Sequence, residues 1–424
     1  MVKLLILADD FTGGLDTGVQ FASRGIPTCV VTDPTADCDA ASETCEVLVL
    51  VAETRHLAPE VAYDVVFSAV EKAAARGIPY IYKKTDSALR GNIGAELTAA
   101  LKASGADVLP FLPALPANGR ITRGGVHFVD SVPVADSPFG KDPFEPVRES
   151  DVARLIRLQS DSPVWNGSAD SIPGQNGIWV FDAQTEEDLA AAGRQLAQRG
   201  LLRVCAGCAG FAGHLPELLG LTADEAPGMP ELDDGLFVLC GSVNPISRRQ
   251  LAWAETHGFE RLHIRPEQKL TPGYFSTEAG RAALREWQTA GERAPWLILD
   301  ANDADGRNAE SAAYAAARGM TTEDVRRTIS GALGDILQHM LEGSAARTTL
   351  IIGGDTLLQC MNRMGVYRMK PLLEIYPGVV LSCFRYGSET RHVITKSGGF
   401  GRETLLTDLR ELLDNSKAGH SAIS

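Results

Sequence analysis

Along this chain, short runs of Val, Ile and Leu with no polar alternation inside them are separated by longer stretches in which apolar residues recur with helical period. The runs that predict strands are 4–8, 28–32, 47–52, 79–83, 108–112, 178–182 and 202–206, then 236–240, 296–300, 349–353, 379–384 and 391–396. Unbroken apolar runs of this length are how strands buried on both faces read. Helical periodicity predicts helices at 15–24, 60–75, 92–103, 185–199, 245–256, 277–290, 322–342, 356–363 and 402–414. Strand and helix alternate almost from end to end, so the expected class is α/β, with parallel sheets joined by right-handed crossovers.

Two stretches break the rhythm. Residues 113–150 are dense in Pro and Gly and hold two short β-like pieces, Val126–Val129 and Val132–Val134. They read as a hairpin excursion with an ordered loop, and loops of that length inside compact domains are usually functional. Leu221 to Gly235 is polar and proline-bearing between two strong strands, which marks an inter-domain linker. A chain of 424 residues exceeds one ordinary core. The expectation is therefore two doubly wound, mostly parallel-sheet domains, 1–225 and 235–414, with a ligand cleft between them and a small, polar, frayed tail at 415–424. No internal repeat is evident.

Composition narrows the partners. Apolar residues at 44% and charged residues at 22% are those of an ordinary globular protein. A net charge of −14 repels phosphate backbones and anionic lipid, which disfavours nucleic acid and membrane surfaces. An anionic substrate would need local clusters of Lys, Arg and Gly to overcome that field. No apolar run approaches the ~18 residues of a membrane span, and Met1-Val2-Lys3 runs straight into Leu4–Ala8 without a secretory cleavage site. The eight cysteines (29, 38, 45, 205, 208, 240, 360 and 383) are scattered in apolar runs, as expected of reduced thiols in a cytoplasm. Cys205-Ala-Gly-Cys208 has redox or metal spacing, but no second pair or nearby His completes a zinc site, so inert buried thiols are expected.

Several strand ends carry chemistry. The first strand ends in Ala8-Asp9-Asp10-Phe11-Thr12-Gly13-Gly14, with a helix expected near Leu15. In open α/β sheets ligands bind at the carboxyl ends of strands, where helix N-termini point donors outward. Asp9 and Asp10 there could accept hydroxyl protons or hold a metal. A helix cap alone would need one of them, not both with paired glycines. The run Tyr82-Lys83-Lys84-Thr85-Asp86-Ser87-Ala88-Leu89-Arg90-Gly91-Asn92 crowds donors and acceptors onto another strand end. Lys84 and Arg90 suit a carboxylate, and Asp86 and Ser87 suit polyol hydroxyls. Arg55, after the strand 47–52, could reach the same edge. Of the eight His, only His127 in the excursion is near this site.

The second half carries glycine turns at strand-to-helix junctions: Gly241-Ser242-Val243-Asn244, Gly353-Gly354-Asp355-Thr356 and Ser397-Gly398-Gly399-Phe400-Gly401. Such turns let backbone N–H groups approach phosphates, and together they predict a nucleotide cradle. The Walker loop, the dinucleotide glycine fingerprint, protein-kinase elements, HExxH and GxSxG are all missing, which disfavours P-loop enzymes, dehydrogenases and the corresponding hydrolases.

Taken together, Ala-Asp-Asp-Phe-Thr-Gly at 8–13, Lys-Thr-Asp-Ser-Ala-Leu-Arg-Gly-Asn at 84–92, Pro116-Ala-Asn-Gly-Arg120, Asp142-Pro143, Gly353–Thr356 and Lys396-Ser-Gly-Gly-Phe-Gly401 resemble the four-carbon acid sugar kinase family over nearly the whole chain. Asp16-Thr17-Gly18-Val19-Gln20 looks closest to its D-threonate kinase branch, whereas Gly241–Asn244 departs from the Gly-Ser-Cys-Ser of some relatives. The resemblance implies an N-terminal domain that binds the acid through Asp9, Arg55 and Lys84 to Ser87, Thr85 included. It implies a C-terminal domain that binds ATP through Ser242, Gly353, Gly354, Asp355, Thr356, Gly398 and Gly399. The expected reaction is in-line transfer from ATP to the terminal hydroxyl of a tetronate, with Lys84 or Arg90 on the carboxylate and Asp86 or Asp10 orienting or deprotonating the hydroxyl. Mg2+ would bridge the phosphates, with Asp355 as its protein ligand. The implied partners are a small sugar acid and ATP, and a homo-oligomer is compatible with both. Rival readings are a metal-dependent aldolase or hydratase built on Asp9, Asp10 and Asp86, and a non-catalytic sugar-acid sensor; neither needs the glycine turns.

Overall fold

The computed structural model describes residues 1–32, 45–142, 145–223, 225–343 and 347–421. Of the positions singled out above, Cys38, Pro143 and the last three residues lie outside the described residues. The chain divides into two compact units, Met1–Pro227 and Gly228–Ser424.

In the first unit the apolar runs become β1 (Leu4–Ala8), β2 (Thr28–Val31), β3 (Val47–Val51), β4 (Tyr80–Lys84) and β5 (Val108–Leu112). The excursion follows with β6 (Arg120–Arg123), β7 (Val126–Val129) and β8 (Val132–Pro133), and then come β9 (Val164–Gly167), β10 (Gly177–Phe181) and β11 (Val204–Gly207). The main sheet has the order β2-β3-β1-β4-β11-β5-β10-β9, and its pairings are parallel. Every residue of β1 and β3 is buried, as their unbroken apolar runs require. The chain steps from β1 out to β2, returns to β3 beside β1, and then crosses to β4 on the other side of β1. Strand order thus reverses between β1 and β4, and the register sets Ala8 opposite Lys84 at their carboxyl ends. Such a reversal opens a crevice where ligands bind.

The second unit contains β12 (Leu236–Cys240), β13 (Glu260–His263), β14 (Trp296–Asp300), β15 (Thr348–Ile352), β16 (Arg368–Tyr376), β17 (Val379–Tyr386) and β18 (Glu389–Lys396). Their order is β13-β14-β12-β15-β18-β17-β16. Pairing is parallel from β13 to β18 and antiparallel through β17 to β16. The same stepping recurs, with the reversal between β12 and β15 and Cys240 opposite Ile352. The first four strands of the two units therefore share an order that no sequence repeat announces, and the sheets differ beyond them.

The structure departs from the sequence pattern in specific places. The first helix is Phe11–Ala22 and begins before Gly13 and Gly14, not at Leu15, because Asp10 caps it. Four strands have no apolar run. Of these, β9 and β13 end their sheets and keep a wet side. The strand β6 completes a three-stranded meander where two pieces were expected, and β16 is half-buried and contains Lys370 and Pro371. The final helix, Leu405–Ser421, continues into the stretch expected to fray. No helix among the described residues is long and apolar enough to cross a membrane.

Candidate functional site

At the carboxyl end of β1 the Asp10 side chain accepts from the N–H of Gly13 at 3.0 Å, satisfying an orphan donor of the helix Phe11–Ala22. A Cβ on Gly13 would stand 2.4 Å from Asp10 Oδ1 and 2.8 Å from Lys84 Nζ, so glycine leaves room for the Lys84 ammonium beside this turn. Arg55, delivered by the loop after β3, joins the carboxylates. Its Nε donates to Asp9 Oδ2 at 2.7 Å and its Nη1 to Asp10 Oδ2 at 2.9 Å, while Nη2 lies 2.8 Å from Asp10 Oδ1 and 3.7 Å from Asp86 Oδ1. Burial alone would raise the Asp9 carboxyl, but the charges of Arg55, Lys84 and Lys83 outweigh it and hold Asp9 below its ordinary value. Asp9 Oδ1 and Thr12 Oγ1 are buried and have no hydrogen-bond partner among the described residues.

The turn after β4 is folded around Asp86. Oδ2 accepts the N–H groups of Ala88 at 3.1 Å and Arg90 at 3.2 Å, together with Arg90 Nε at 3.0 Å; Oδ1 accepts Arg90 Nη2 at 2.9 Å. Against the effect of burial, Arg90 and Arg55 hold the Asp86 carboxyl well below the usual range. Leu89 at φ +64° and Glu53 at φ +48° are in the left-handed region, one in each of the turns that deliver Arg90 and Arg55. Side-chain residues in such conformations persist only where the surroundings dictate them, and they cluster at functional sites. Lys84 Nζ is buried and donates to the Thr85 carbonyl at 2.7 Å; among the described residues it forms no ion pair. Lys83 points the other way into a buried pair with Glu96 at 3.0 Å. Thr85 N–H donates to Gly207 O at 2.9 Å, tying the turn to β11.

The meander β6–β8 braces the same turn. Arg120 Nη1 donates to Ser87 Oγ. His127 Nε2 lies 3.0 Å from the Ser87 carbonyl and Nδ1 3.0 Å from Thr122 Oγ1, which assigns the Nε2–H tautomer, donating to Ser87 and accepting from Thr122. Burial keeps this imidazole neutral down to about 4. Phe139 lies under the guanidinium groups of Arg90 (5.3 Å) and Arg120 (5.6 Å). Sequence reasoning noticed His127 but missed Phe139 and gave Arg120 no role; aromatic and Arg placement in a Pro/Gly-rich stretch was the available signal. Cys208 is buried, with its Sγ 3.2 Å from Ala114 O, and its thiol is pushed up to about 11 by burial. Cys205, Cys208, Cys240 and Cys360 are buried thiols outside any disulfide.

In the second unit the carboxyl ends of β12, β15 and β18 bring the glycine turns together. A Cβ on Gly398 would lie 2.3 Å from Ser242 Oγ and 2.9 Å from Asn244 Cβ, and one on Gly241 would lie 2.0 Å from Thr356 Oγ1. Asn244 caps the helix Pro245–Thr256, accepting from Ile246 N–H at 2.9 Å. The helix Gly354–Arg363 starts without a side-chain cap, leaving its first N–H groups available to an anion. Neither Gly398 nor Gly399 donates its N–H to an acceptor among the described residues. Asn302, rigidly held by Asp300 Oδ1 at 2.8 Å, supports the Ser242 carbonyl at 3.0 Å. Asp355 is a partial exception to the expected cradle, because Arg326 Nη1 holds its Oδ2 at 2.9 Å.

One unit thus gathers carboxylates, guanidinium groups and a buried ammonium at a strand reversal, and the other gathers uncapped backbone donors. Residues 4–215 match the family model of a sugar-binding N-terminal domain, and residues 237–406 that of a nucleotide-binding C-terminal domain. Fold and site define a small-molecule kinase with one domain for a sugar acid and one for its nucleotide. The chain belongs to the four-carbon acid sugar kinase family. It is 27% identical to a D-threonate kinase of Salmonella typhimurium, over 99% of this chain and 100% of the relative. It is also 27% identical to a D-erythronate kinase of Heliobacterium modesticaldum, over 95% and 94%, and 27% identical to a 3-oxo-tetronate kinase of Pseudomonas fluorescens, over 93% of each. Solved structures from Salmonella typhimurium LT2 (TM-score 0.77, 23% identity, covering 96% of this chain and 98% of that one) and Haemophilus influenzae (TM-score 0.70, 19% identity, 96% and 100%) share the fold.

Proposed function

We propose that this kinase transfers the γ-phosphoryl group of ATP to the C4 hydroxyl of D-threonate, in preference to D-erythronate or a 3-oxo-tetronate. The observation that carries the reading is the convergence of Arg55, Lys84, Asp9, Asp10 and Asp86 at the β1/β4 reversal of the unit that matches the sugar-binding model. D-threonate is favoured by the Asp16–Gln20 segment and by D-threonate kinases at 27% and 29% identity.

In this reading Lys84 receives the substrate carboxylate, since Arg90 is committed to Asp86 and to Asp142 at 3.4 Å. Asp9 Oδ1 and Ser87 accept hydroxyl hydrogen bonds. Asp86 is surrounded by donors and holds the turn, so Asp10, whose side chain is 21% exposed, is the better placed of the two to take the hydroxyl proton. A loose phosphoryl-transfer transition state asks little of that base. The nucleotide phosphates would lie on Ser242, Gly353 to Thr356, Gly398 and Gly399. Asp355, which shares its carboxylate with Arg326, would hold Mg2+, and the ion would supply charge neutralisation on the phosphates.

Incubation with Mg-ATP and D-threonate, D-erythronate and 3-oxo-tetronates, read as ADP release, tests both levels. A higher kcat/KM for another tetronate overturns D-threonate; no ADP with any of them overturns the acid-kinase assignment of this site.

A further inference from the structure

Lys396, the last residue of β18, is 1% exposed and lies directly before the Ser397–Gly399 turn. Its Nζ donates to Ser247 Oγ at 3.3 Å and to the Gly398 carbonyl at 3.4 Å. Ser247 Oγ in turn donates to the same Gly398 carbonyl at 2.9 Å, so that one oxygen is gripped from two sides. Among the described residues no carboxylate lies within ion-pair distance of this ammonium. The contrast with the unit's other fully buried lysine is direct, because Lys269 has Asp303 at 2.7 Å. A desolvated cation without a counter-ion is strongly unfavourable unless something else compensates it. Here it sits behind a turn whose Gly398 and Gly399 N–H groups have no protein acceptor.

We propose that Lys396 is a positioning residue for the nucleotide polyphosphate, holding the Gly398 carbonyl inward so that the turn's N–H groups remain available to phosphate oxygens, and contributing a positive charge that bound phosphate neutralises. The inference rests on the placement of the nucleotide on these turns. Burial also pushes the Lys396 ammonium down to about 8. The titratable group acting on it is the Cys240 thiol, itself pushed up to about 12 and therefore neutral. Charged groups on the surrounding elements are engaged elsewhere or exposed: Arg248 with Gly306, Glu255 with Arg261, Asp355 with Arg326, and Arg249 in solvent. The adjoining residues of β15 and β17, Thr349–Ile352 and Val379–Leu381, carry no charge.

The test uses the full chain with ADP as the calorimetric probe and steady-state kinetics for both substrates. Lys396→Met should raise the ADP Kd and the KM for ATP by about tenfold or more, while KM for the acid stays within about twofold. Wild-type kcat/KM for ATP should fall as pH rises through about 8, where Lys396 loses its charge; the terminal phosphate, with a second pKa of about 6, is already ionised there. Lys396→Arg should recover affinity and remove that fall. If Lys396→Met folds and binds ADP like wild type while Gly398→Ala loses it, the role of Lys396 is overturned and the site stands. If both bind normally, the placement of the nucleotide is what fails. If Lys396→Met does not fold, the wild-type and Lys396→Arg pH profiles decide, and identical profiles overturn the proposal.

Discussion

Arg55 is the residue on which the carboxylate cluster turns, because one guanidinium binds both Asp9 and Asp10 and faces Asp86. Removing it leaves carboxylates buried without their cation. Arg55→Ala should lower stability by about 3 kcal/mol or more, read from urea unfolding at pH 7. Lysine should rescue little, since a point charge cannot replace the fork. The acid limb should move too. Asp9 and Asp86 are held below their ordinary value of 3.8, so their contribution is present above that pH and is lost as pH falls through the lower folded values. Without Arg55 that loss should begin at higher pH; an unchanged acid midpoint would remove Arg55 from the electrostatics. The crowding of Lys84 to Arg90 was legible as a candidate site in the sequence. What was not legible is that Arg90 turns back onto Asp86, which depends on Leu89 adopting φ +64°, a choice that no local propensity of leucine suggests. Asp86 thereby becomes the framework of the turn rather than the freest base in it.

At the scale of elements, the β6–β7 pair acts on the site through His127, whose neutral ring bridges Thr122 and Ser87. Its folded value of about 4 lies below the ordinary 6.5, so the unfolded chain binds the extra proton between those values and stability should rise with pH across that window. His392 in the other unit is also lowered, so the comparison must be made by difference. His127→Gln should flatten the stability-against-pH slope between about 6.5 and 4 in chemical denaturation; an identical slope would show that the imidazole is not held neutral. The buried strands were readable because an unbroken Val/Ile/Leu run has one economical place to go. Strand β6, with Arg120 and Thr122 facing inward, and edge strand β9 were not, because their partners rather than their own composition bury them. The first helix was placed late because Gly13 and Gly14 are poor helix formers. Asp10's cap and the close approach of Lys84 outweigh that local preference.

For the whole molecule, the division at Pro227/Gly228 predicts unfolding in more than one step, since each unit has its own core. ATP at ~100 times its Kd should add about 2.7 kcal/mol to the unit that binds it. Amide exchange on the full chain should show that protection in residues 228–424 and not in the strands of the first unit. Protection confined to the first unit would reverse the assignment of the two ligands. At this scale the sequence indicated an α/β architecture, but it carried no sign that the first four strands of each unit follow the same order, because topology constrains handedness and burial without constraining residue identity.

By itself, the sequence determined the α/β class, the apolar strands and the residue types gathered at their carboxyl ends, because periodicity and burial are properties of local composition. Only the tertiary structure decided which strand ends meet: the reversals beside β1 and β12 set Asp9 and Asp10 against Arg55 and Lys84, and Gly241 and Ser242 against Gly353 to Thr356 and Gly398. It also decided which charges pair directly and which, like Lys396, are buried with no carboxylate within ion-pair distance among the described residues. Those outcomes depend on contacts between residues far apart in the chain, and no local pattern encodes them.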